Sequence, residues 1–188
     1  SQKVKKMATK IVTGKVRFSY VNVWEPKADQ AGQKLKYSMS VLIDKNDKET
    51  ISKIEAAVNE VLEGKKAEWA TKNGKMPAVK KPLRDGDTDK PDHDEYAGMM
   101  FLNASSTRQP GIVDKQKQEV IDRTMIYSGC YGRVQLSFFA YDVQGSKGVG
   151  VGLENIQTFN EGESFGGHDS AEDAFDDAFS GAGEELEF

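Results

Sequence analysis

Three features of the sequence predict a mainly β fold in which five strands close into a small barrel of the OB type. Segments rich in β-branched and aromatic residues recur along the chain, as strands require. Segments that contain Gly and Pro separate them. A single clear helical pattern interrupts the series. Because short antiparallel strands can protect their edges by closing into a barrel, we expect an OB-type barrel with one or more helices and long insertions.

The first two strands are predicted over residues 10–24, KIVTGKVRFSYVNVW, and 34–44, KLKYSMSVLID. In the first strand, Val16, Phe18 and Tyr20 should share one face. In the second, Tyr37 belongs to the apolar face and Lys36 to the polar face. A turn-rich segment joins the two strands. Their basic residues indicate a basic sheet surface.

A helix should follow the second strand. Asp47 is a suitable N-cap, and Ile51, Ile54 and Val58 recur at helical spacing before Gly64 interrupts the pattern. This apolar stripe predicts packing against the core. The basic segment 65–81 can extend the helix until prolines prevent it.

Later strands are predicted in YAGMMFLNASS (96–106), in YSGCYGRVQLSFFAYDV (127–143) and in GVGVGLENIQTF (148–159), with shorter strands in 112–122. No helix follows the alternating Gly148, Gly150 and Gly152, so they do not form a dinucleotide-binding fingerprint. They indicate a strand that bulges or that another group approaches closely.

The acidic segment RDGDTDKPDHDEYAG (84–98) is the candidate for a metal site. An EF-hand loop begun at Asp85 requires Gly at its sixth position and Glu at its twelfth, where Lys90 and Tyr96 stand. We therefore predict a solvated loop and no metal or cofactor. The alternative is a metal-dependent nuclease or resolvase that uses the acids of Asp85–Asp94. Because no catalytic arrangement has supporting context, we do not expect an enzyme.

Charge divides the chain into a basic body and an acidic tail. The whole chain has 26 basic and 30 acidic residues, a net charge of −4. Residues 161–188 hold ten of the acids and no Lys or Arg, which leaves the body basic by six charges. We expect one domain over 10–160, preceded by a basic arm or expression remnant (1–9) and followed by a disordered tail (161–188). Apolar residues in the tail suggest docking on a partner: Phe175, Phe179, Leu186 and Phe188.

Composition also bears on the compartment. Cys130 is the only cysteine, so the chain has no internal disulfide, and two histidines do not supply a rich metal site. The sequence has no run of 18 apolar residues and no signal-peptide core. We expect a cytoplasmic protein.

The polar strand faces favour binding of nucleic acid. Aromatic rings can stack on bases while neighbouring basic side chains contact phosphates. The candidates combine these two kinds of side chain with amide donors: Arg17, Lys36, Tyr37, Asn103, Arg108, Tyr131, Arg133 and Tyr141.

Four segments carry a resemblance: VRFSYVNVWEPK, YSMSVLIDK, YAGMMFLNASS and YGRVQLSFFAY. They resemble bacteriophage single-stranded DNA-binding proteins, a group formerly catalogued as a domain of unknown function. The resemblance covers most of residues 10–159. It implies an OB fold, sequence-independent binding of single-stranded DNA, and a role in phage replication or recombination in the cytoplasm of the infected host. It supplies no catalytic motif.

The resemblance also suggests a role for the tail. Replication-type single-stranded DNA-binding proteins often end in an acidic segment with a terminal Phe, and this sequence finishes EELEF. The implied tail occupies the DNA groove until DNA displaces it, and its apolar tip then docks on replication or recombination proteins.

Overall fold

The computed structural model describes residues 9–28 and 30–166. Predictions for the N-terminal arm and for Phe175, Phe179, Leu186 and Phe188 concern positions outside these ranges. The strands are β1 Thr9–Val12, β2 Val16–Lys27, β3 Lys36–Asp44, β4 Arg84–Asp85, β5 Met99–Ser106, β6 Gly111–Val113, β7 Tyr131–Val143 and β8 Ser146–Thr158. The helices are α1 Lys48–Trp69 and α2 Gly86–Asp89, with 3-10 turns at Asp94–Tyr96 and Arg123–Met125.

Five strands form a closed ring in the order β2–β3–β5–β8–β7, and β7 pairs again with β2. All neighbours in the ring are antiparallel except β5 and β8, which meet in parallel at Ser105 and Gly152. β1 adds to β7, β4 to β5, and β6 to β8. The predicted five-stranded OB-type barrel with helices and insertions is confirmed.

The inward faces of the strands form the main core. Phe18, Val41, Leu102 and Phe138 are all fully buried there. Such large apolar side chains each contribute roughly 1.5–3 kcal/mol when buried, so this core is the main source of stability. Within the described residues, no helix is long and apolar enough to cross a membrane.

Helix α1 packs its apolar stripe against this core. It begins as predicted, because the Asp47 carboxylate accepts a hydrogen bond from the Thr50 amide at 3.1 Å. Ile54 and Val58 are buried as expected. The helix continues past Gly64 to Trp69, whose side chain is buried in the last turn.

The first predicted strand is interrupted, so the prediction of one continuous strand was wrong. β1 and β2 are separated at residues 13–15. The Thr13 amide donates to the Val134 carbonyl at 3.0 Å, and the Gly14 amide donates to the Thr50 hydroxyl of α1 at 3.0 Å. These contacts interrupt the strand without moving it to another edge: β1 and β2 pair with the same edge of β7, Val12 opposite Gln135 and Val16 opposite Gly132, so the register shifts by one residue.

Two of the three alternating glycines of β8 lie under aromatic rings. Phe139 faces Gly150 across the β7–β8 ladder, and Tyr141 faces Gly148. A Cβ atom at either glycine would stand 2.7 Å from ring carbons of its partner. The predicted close approach to this strand is therefore confirmed.

Gly132 is expected to tolerate no side chain. An added Cβ would press against the Gln157 carbonyl and stand 2.7 Å from the buried Phe18 ring. Overpacking of this kind costs roughly 1–3 kcal/mol or more, so Gly132→Ala should lower the free energy of unfolding by that amount. Urea denaturation followed by circular dichroism measures it.

The matched control is Gly64→Ala in α1, where an added Cβ meets nothing within 4 Å. A helical Gly→Ala exchange stabilises by roughly 0.5–1 kcal/mol. Equal urea midpoints for the two variants would contradict the packing described for Gly132.

Candidate nucleic-acid interface

An open groove of about 760 Å³ lies against β2, β3 and β5 and reaches the loop that carries Lys90. None of the described residues that line it is acidic. Its lining combines four lysines, one tyrosine and a set of small polar side chains: Lys27, Lys34, Lys36, Lys90, Tyr20, Asn22, Ser38, Ser40, Asn103 and Ser105. Four ammonium groups without a lining carboxylate give this groove a positive charge, which favours a polyanion over a neutral or cationic ligand.

Tyr20 reaches the groove because β2 bulges. Val16 and Phe18 are buried, and regular alternation would bury Tyr20 as well. Instead Ser19 is buried and Tyr20 is 52% exposed. Its φ of 49° lies in the left-handed region, and the β2–β3 register shifts between Ser19 and Asn22. The prediction that Tyr20 shares the buried face was wrong, because a bulge redirects the side chain.

The acidic segment 84–98 holds a loop in place. Lys45 Nζ lies 2.9 Å from Asp85 Oδ1 and 2.7 Å from Asp87 Oδ2. By donating hydrogen bonds, the Lys45 ammonium lowers the pKa of both carboxyls. Asp87 also accepts a hydrogen bond from the Gly98 amide at 3.0 Å. These carboxylates are thus engaged in structural contacts.

That arrangement leaves the metal-dependent alternative without support. No group of three or more His, Cys, Asp or Glu side chains able to hold a metal occurs in residues 9–28 and 30–166. Asp89, a further acid of the segment, lies 3.0 Å from Arg84 Nε. The segment serves the fold by closing over β5, with which β4 pairs.

The same loop carries Lys90 to the edge of the groove. Lys90 Nζ stands 5.8 Å from the Tyr20 ring centroid and 5.9 Å from that of Tyr96. Tyr96 is fully buried and meets Phe101 edge to face at 5.1 Å, in a small cluster with Leu42. Burial raises the pKa of Tyr96, so its hydroxyl is neutral. This cluster supports the loop that positions Lys90.

Two of the predicted candidates lie in the groove. Lys36 is exposed at the start of β3, and Asn103 is exposed on β5. The Ser40 hydroxyl donates a hydrogen bond to the Asn103 side-chain oxygen. The Asn103 amide nitrogen remains available to a ligand on the groove floor.

Arg17 and Tyr131 lie together outside this lining. Arg17 donates from Nε to the Gly129 carbonyl at 2.8 Å and from Nη2 to the Glu163 carbonyl at 2.9 Å. Its guanidinium carbon stands 4.9 Å from the Tyr131 ring centroid and 4.3 Å from that of Phe165. These contacts use Arg17 within the protein, and its role in DNA binding stays a prediction.

Four other candidates also lie outside the described lining of the groove: Tyr37, Arg108, Arg133 and Tyr141. Arg133 donates from Nε to the Thr13 carbonyl at 3.0 Å and so holds the bend between β1 and β2. Arg108 is exposed in the turn after β5. The predicted binding roles of these four residues remain predictions.

Comparison with known proteins identifies the family. The family model described as the Enterobacter phage Enc34 ssDNA-binding protein matches residues 9–186. The chain belongs to this family. The protein p50 of Acyrthosiphon pisum secondary endosymbiont phage 1 is 32% identical over 186 residues, which cover 94% of this chain and 98% of that protein.

Solved structures of the Enc34 family share the fold. The Enc34 single-stranded DNA-binding protein in complex with ssDNA has a TM-score of 0.71 and 24% identity, covering 87% of this chain and 97% of that one. Its C-terminal truncation has a TM-score of 0.70 and 22% identity, covering 88% and 99%. The single-stranded DNA-binding protein gp2.5 of bacteriophage T7 has a TM-score of 0.57 and 14% identity, covering 86% and 96%.

Residues 161–166, which we assigned to the tail, contact the barrel of this Enc34-family chain. Glu161 Oε2 lies 2.7 Å from Lys115 Nζ, and Glu161 Oε1 lies 3.9 Å from Lys15 Nζ. The hydrogen bond from Lys115 lowers the pKa of Glu161. The Phe165 amide donates to the Ser128 carbonyl at 2.9 Å. The first six residues of the predicted tail therefore form part of the body.

Sequence reasoning missed the tyrosine of the groove and three of its four lysines: Tyr20, Lys27, Lys34 and Lys90. Lys27 and Lys34 flank the loop between β2 and β3, and their proximity to the basic face of β3 was a usable signal. Lys90 lies in a segment rich in acidic residues, so the net charge of that segment did not indicate a site for an anion. Tyr20 could be found only from the register of β2 against β3.

Proposed function

We propose that this chain binds single-stranded DNA, without sequence preference, in the groove between β2, β3 and β5. The observation that carries the proposal is the lining of that groove, which contains four lysines and an exposed tyrosine and no described acidic residue. Lysines can track phosphates, and a tyrosine can stack on any base. Membership of a family named for ssDNA binding supports it.

The groove suits a single strand better than a duplex. Stacking on Tyr20 requires a base that is not already stacked inside a paired helix. The floor offers only short side chains, among them Ser38, Ser40 and Asn103. Such groups can bond to bases or sugars without forming a rigid pattern of donors and acceptors. We therefore infer that the groove binds single-stranded DNA in preference to duplex DNA and does not distinguish between base sequences.

We further propose a non-enzymatic role in phage DNA replication or recombination, in the cytoplasm of the infected host. The shared fold of the T7 and Enc34 single-stranded DNA-binding proteins supports this assignment. Three of the acids that the nuclease alternative invoked are engaged with basic side chains: Asp85 and Asp87 with Lys45, and Asp89 with Arg84.

The tail is proposed to compete with DNA for the groove. Phe165 packs against the Leu42, Tyr96 and Phe101 cluster, and Tyr96 also lies next to Lys90 of the groove. Phe165, near the end of the described chain, therefore packs on a cluster that also contacts one groove lysine, and the sequence after Gly166 contains eight Asp and Glu residues. A tethered polyanion acts at high effective concentration, so it can cover the groove while DNA is absent.

A binding assay with a labelled oligonucleotide and its duplex, with and without Mg²⁺, tests the function. We expect tighter binding of the single strand, by roughly 1–3 kcal/mol for each stacked base, and an intact oligonucleotide in both buffers. Equal affinity for the two forms would contradict the groove assignment. Cleavage that depends on Mg²⁺ would instead restore the nuclease alternative.

A further inference from the structure

A second concave surface, which we call the α1 pocket, lies between the C-terminal half of α1 and residues 76–81. It encloses about 490 Å³ and shares no lining residue with the groove. Its lining combines apolar side chains with a lysine from each of the two segments: Leu62, Met76, Val79, Lys66 and Lys81. One acid, Glu63, also lines it.

The surroundings of the α1 pocket are strongly basic. Residues 65–81 contain six lysines and one acid, Glu68. Glu68 lies 3.0 Å from Lys65 Nζ. None of the other five lysines forms an ion pair with another described residue. This concentration of positive charge stands apart from the groove and has no role in the proposed DNA contact.

The chemistry of the pocket points to a peptide. Trp69, the large aromatic residue of this region, is only 7% exposed and offers no free ring for stacking. The apolar lining is aliphatic, which suits side chains of a peptide better than bases. Lysines beside an apolar cavity fit a ligand that carries carboxylates around one or two large apolar residues.

The chain itself contains such a ligand. Its last five residues, EELEF, place three carboxylates around Leu186 and Phe188. The 22 residues after Gly166 can extend about 70 Å, at 3.3 Å per residue, which is twice the length of α1. We propose that the α1 pocket binds residues 184–188 of the same chain. The assignment of this pocket goes beyond the proposed function, whereas the exchange of the tail between groove and pocket rests on the proposed competition between tail and DNA.

Two surfaces then compete for one tail. While the groove is empty, its lysines attract the acids of the tail. When a polyanion fills the groove, the displaced segment 184–188 binds in the α1 pocket, where its apolar side chains are removed from water. The pocket thereby holds the tail away from the groove and favours the DNA-bound state.

Paramagnetic broadening in the full chain tests this. A nitroxide is attached through Ser180→Cys, while the fully buried Cys130 remains unlabelled. With saturating oligothymidylate, we expect loss of amide signal intensity at Glu63, Met76 and Val79. Without the oligonucleotide, we expect the loss at groove residues such as Ser38. About tenfold dilution should leave both patterns unchanged, because the contact is intramolecular.

Charge reversal identifies the site. Lys66→Glu with Lys81→Glu should abolish the loss of signal at the pocket, as should Leu186→Ser with Phe188→Ser in the tail. The matched control is Lys48→Glu, an exposed lysine about 27 Å away at the other end of α1. It should retain the loss of signal.

Three outcomes would overturn the inference. The first is full signal at the pocket amides with the oligonucleotide bound. The second is equal broadening in the parent and in the Lys66→Glu, Lys81→Glu variant. The third is broadening that disappears on dilution, which would assign the tail to a neighbouring copy. If oligothymidylate does not bind, the proposed function is wrong. The inference about the pocket is then judged separately: broadening at the pocket amides that the Lys66 and Lys81 reversals abolish supports it. If the pocket amides show no broadening, the inference is wrong as well.

Discussion

Replacing Tyr20 with alanine is expected to weaken binding of single-stranded DNA by about 5-fold to 150-fold. Tyr20 is the exposed aromatic residue of the groove lining, and stacking of a base on such a ring is worth roughly 1–3 kcal/mol. Tyr20→Phe keeps the ring and should bind nearly as the parent does. Fluorescence anisotropy with an oligothymidylate at constant salt measures these affinities.

Tyr131→Ala serves as the comparison. The Tyr131 ring lies on β7 beneath Lys15 and Arg17, at 4.8 Å and 4.9 Å, and outside the lining of the groove. We expect Tyr20→Ala to have the larger effect. A greater loss for Tyr131→Ala would place the DNA on the face of β7, where the sequence had suggested it.

Removing the groove lysines should change the salt dependence of binding. Each lysine that meets a phosphate of a single strand contributes about 0.7 to the slope of log K against log salt concentration. The combined change Lys34→Ala, Lys36→Ala and Lys90→Ala should therefore reduce this slope by about 2. Titrations at several salt concentrations between about 50 and 200 mM provide the measurement.

The control carries the same change in net charge away from the groove: Lys48→Ala, Lys72→Ala and Lys75→Ala. All three of these lysines are exposed, and none lines the groove. The slope of the control should match that of the parent. If the slope of log K against log salt concentration falls by the same amount in both triple variants, DNA binding depends on the total charge of the protein and not on the groove.

Much of the barrel could be predicted from the sequence. In β3, Met39, Val41 and Ile43 share the predicted apolar face, and all three side chains are buried in the core. In α1, the Asp47 cap and the buried Ile54 follow from local patterns alone. Such features depend on neighbours within a few residues, so a single sequence contains them.

The groove could be predicted only in part. Lys36 was identified because it lies on the polar face of a predicted strand, and Asn103 because its amide offers donors near the end of another; both line the groove. Tyr20 was assigned to the wrong face, since alternation assumes an unbroken strand and β2 bulges at this residue. Arg17 was chosen for its charge, yet the Gly129 and Glu163 carbonyls accept its hydrogen bonds. The segment 84–98 was predicted to be a solvated loop, yet three of its acids are held by basic side chains: Asp85 and Asp87 by Lys45, and Asp89 by Arg84.

By itself, then, the sequence determined the barrel strands, the capped helix, the division into basic body and acidic tail, and the class of ligand. These properties depend on composition and on the spacing of apolar residues, which recur every two residues in a strand and every 3.6 in a helix, so they can be read from the sequence alone. Only the tertiary structure decided where that ligand can lie. The groove brings Tyr20, Lys36, Lys90 and Asn103 together from β2, β3, a loop and β5. Their proximity depends on the register of the strands and on the contacts of Lys45 that hold the loop. Both kinds of contact join residues that are far apart in the chain, so local sequence patterns do not reveal them.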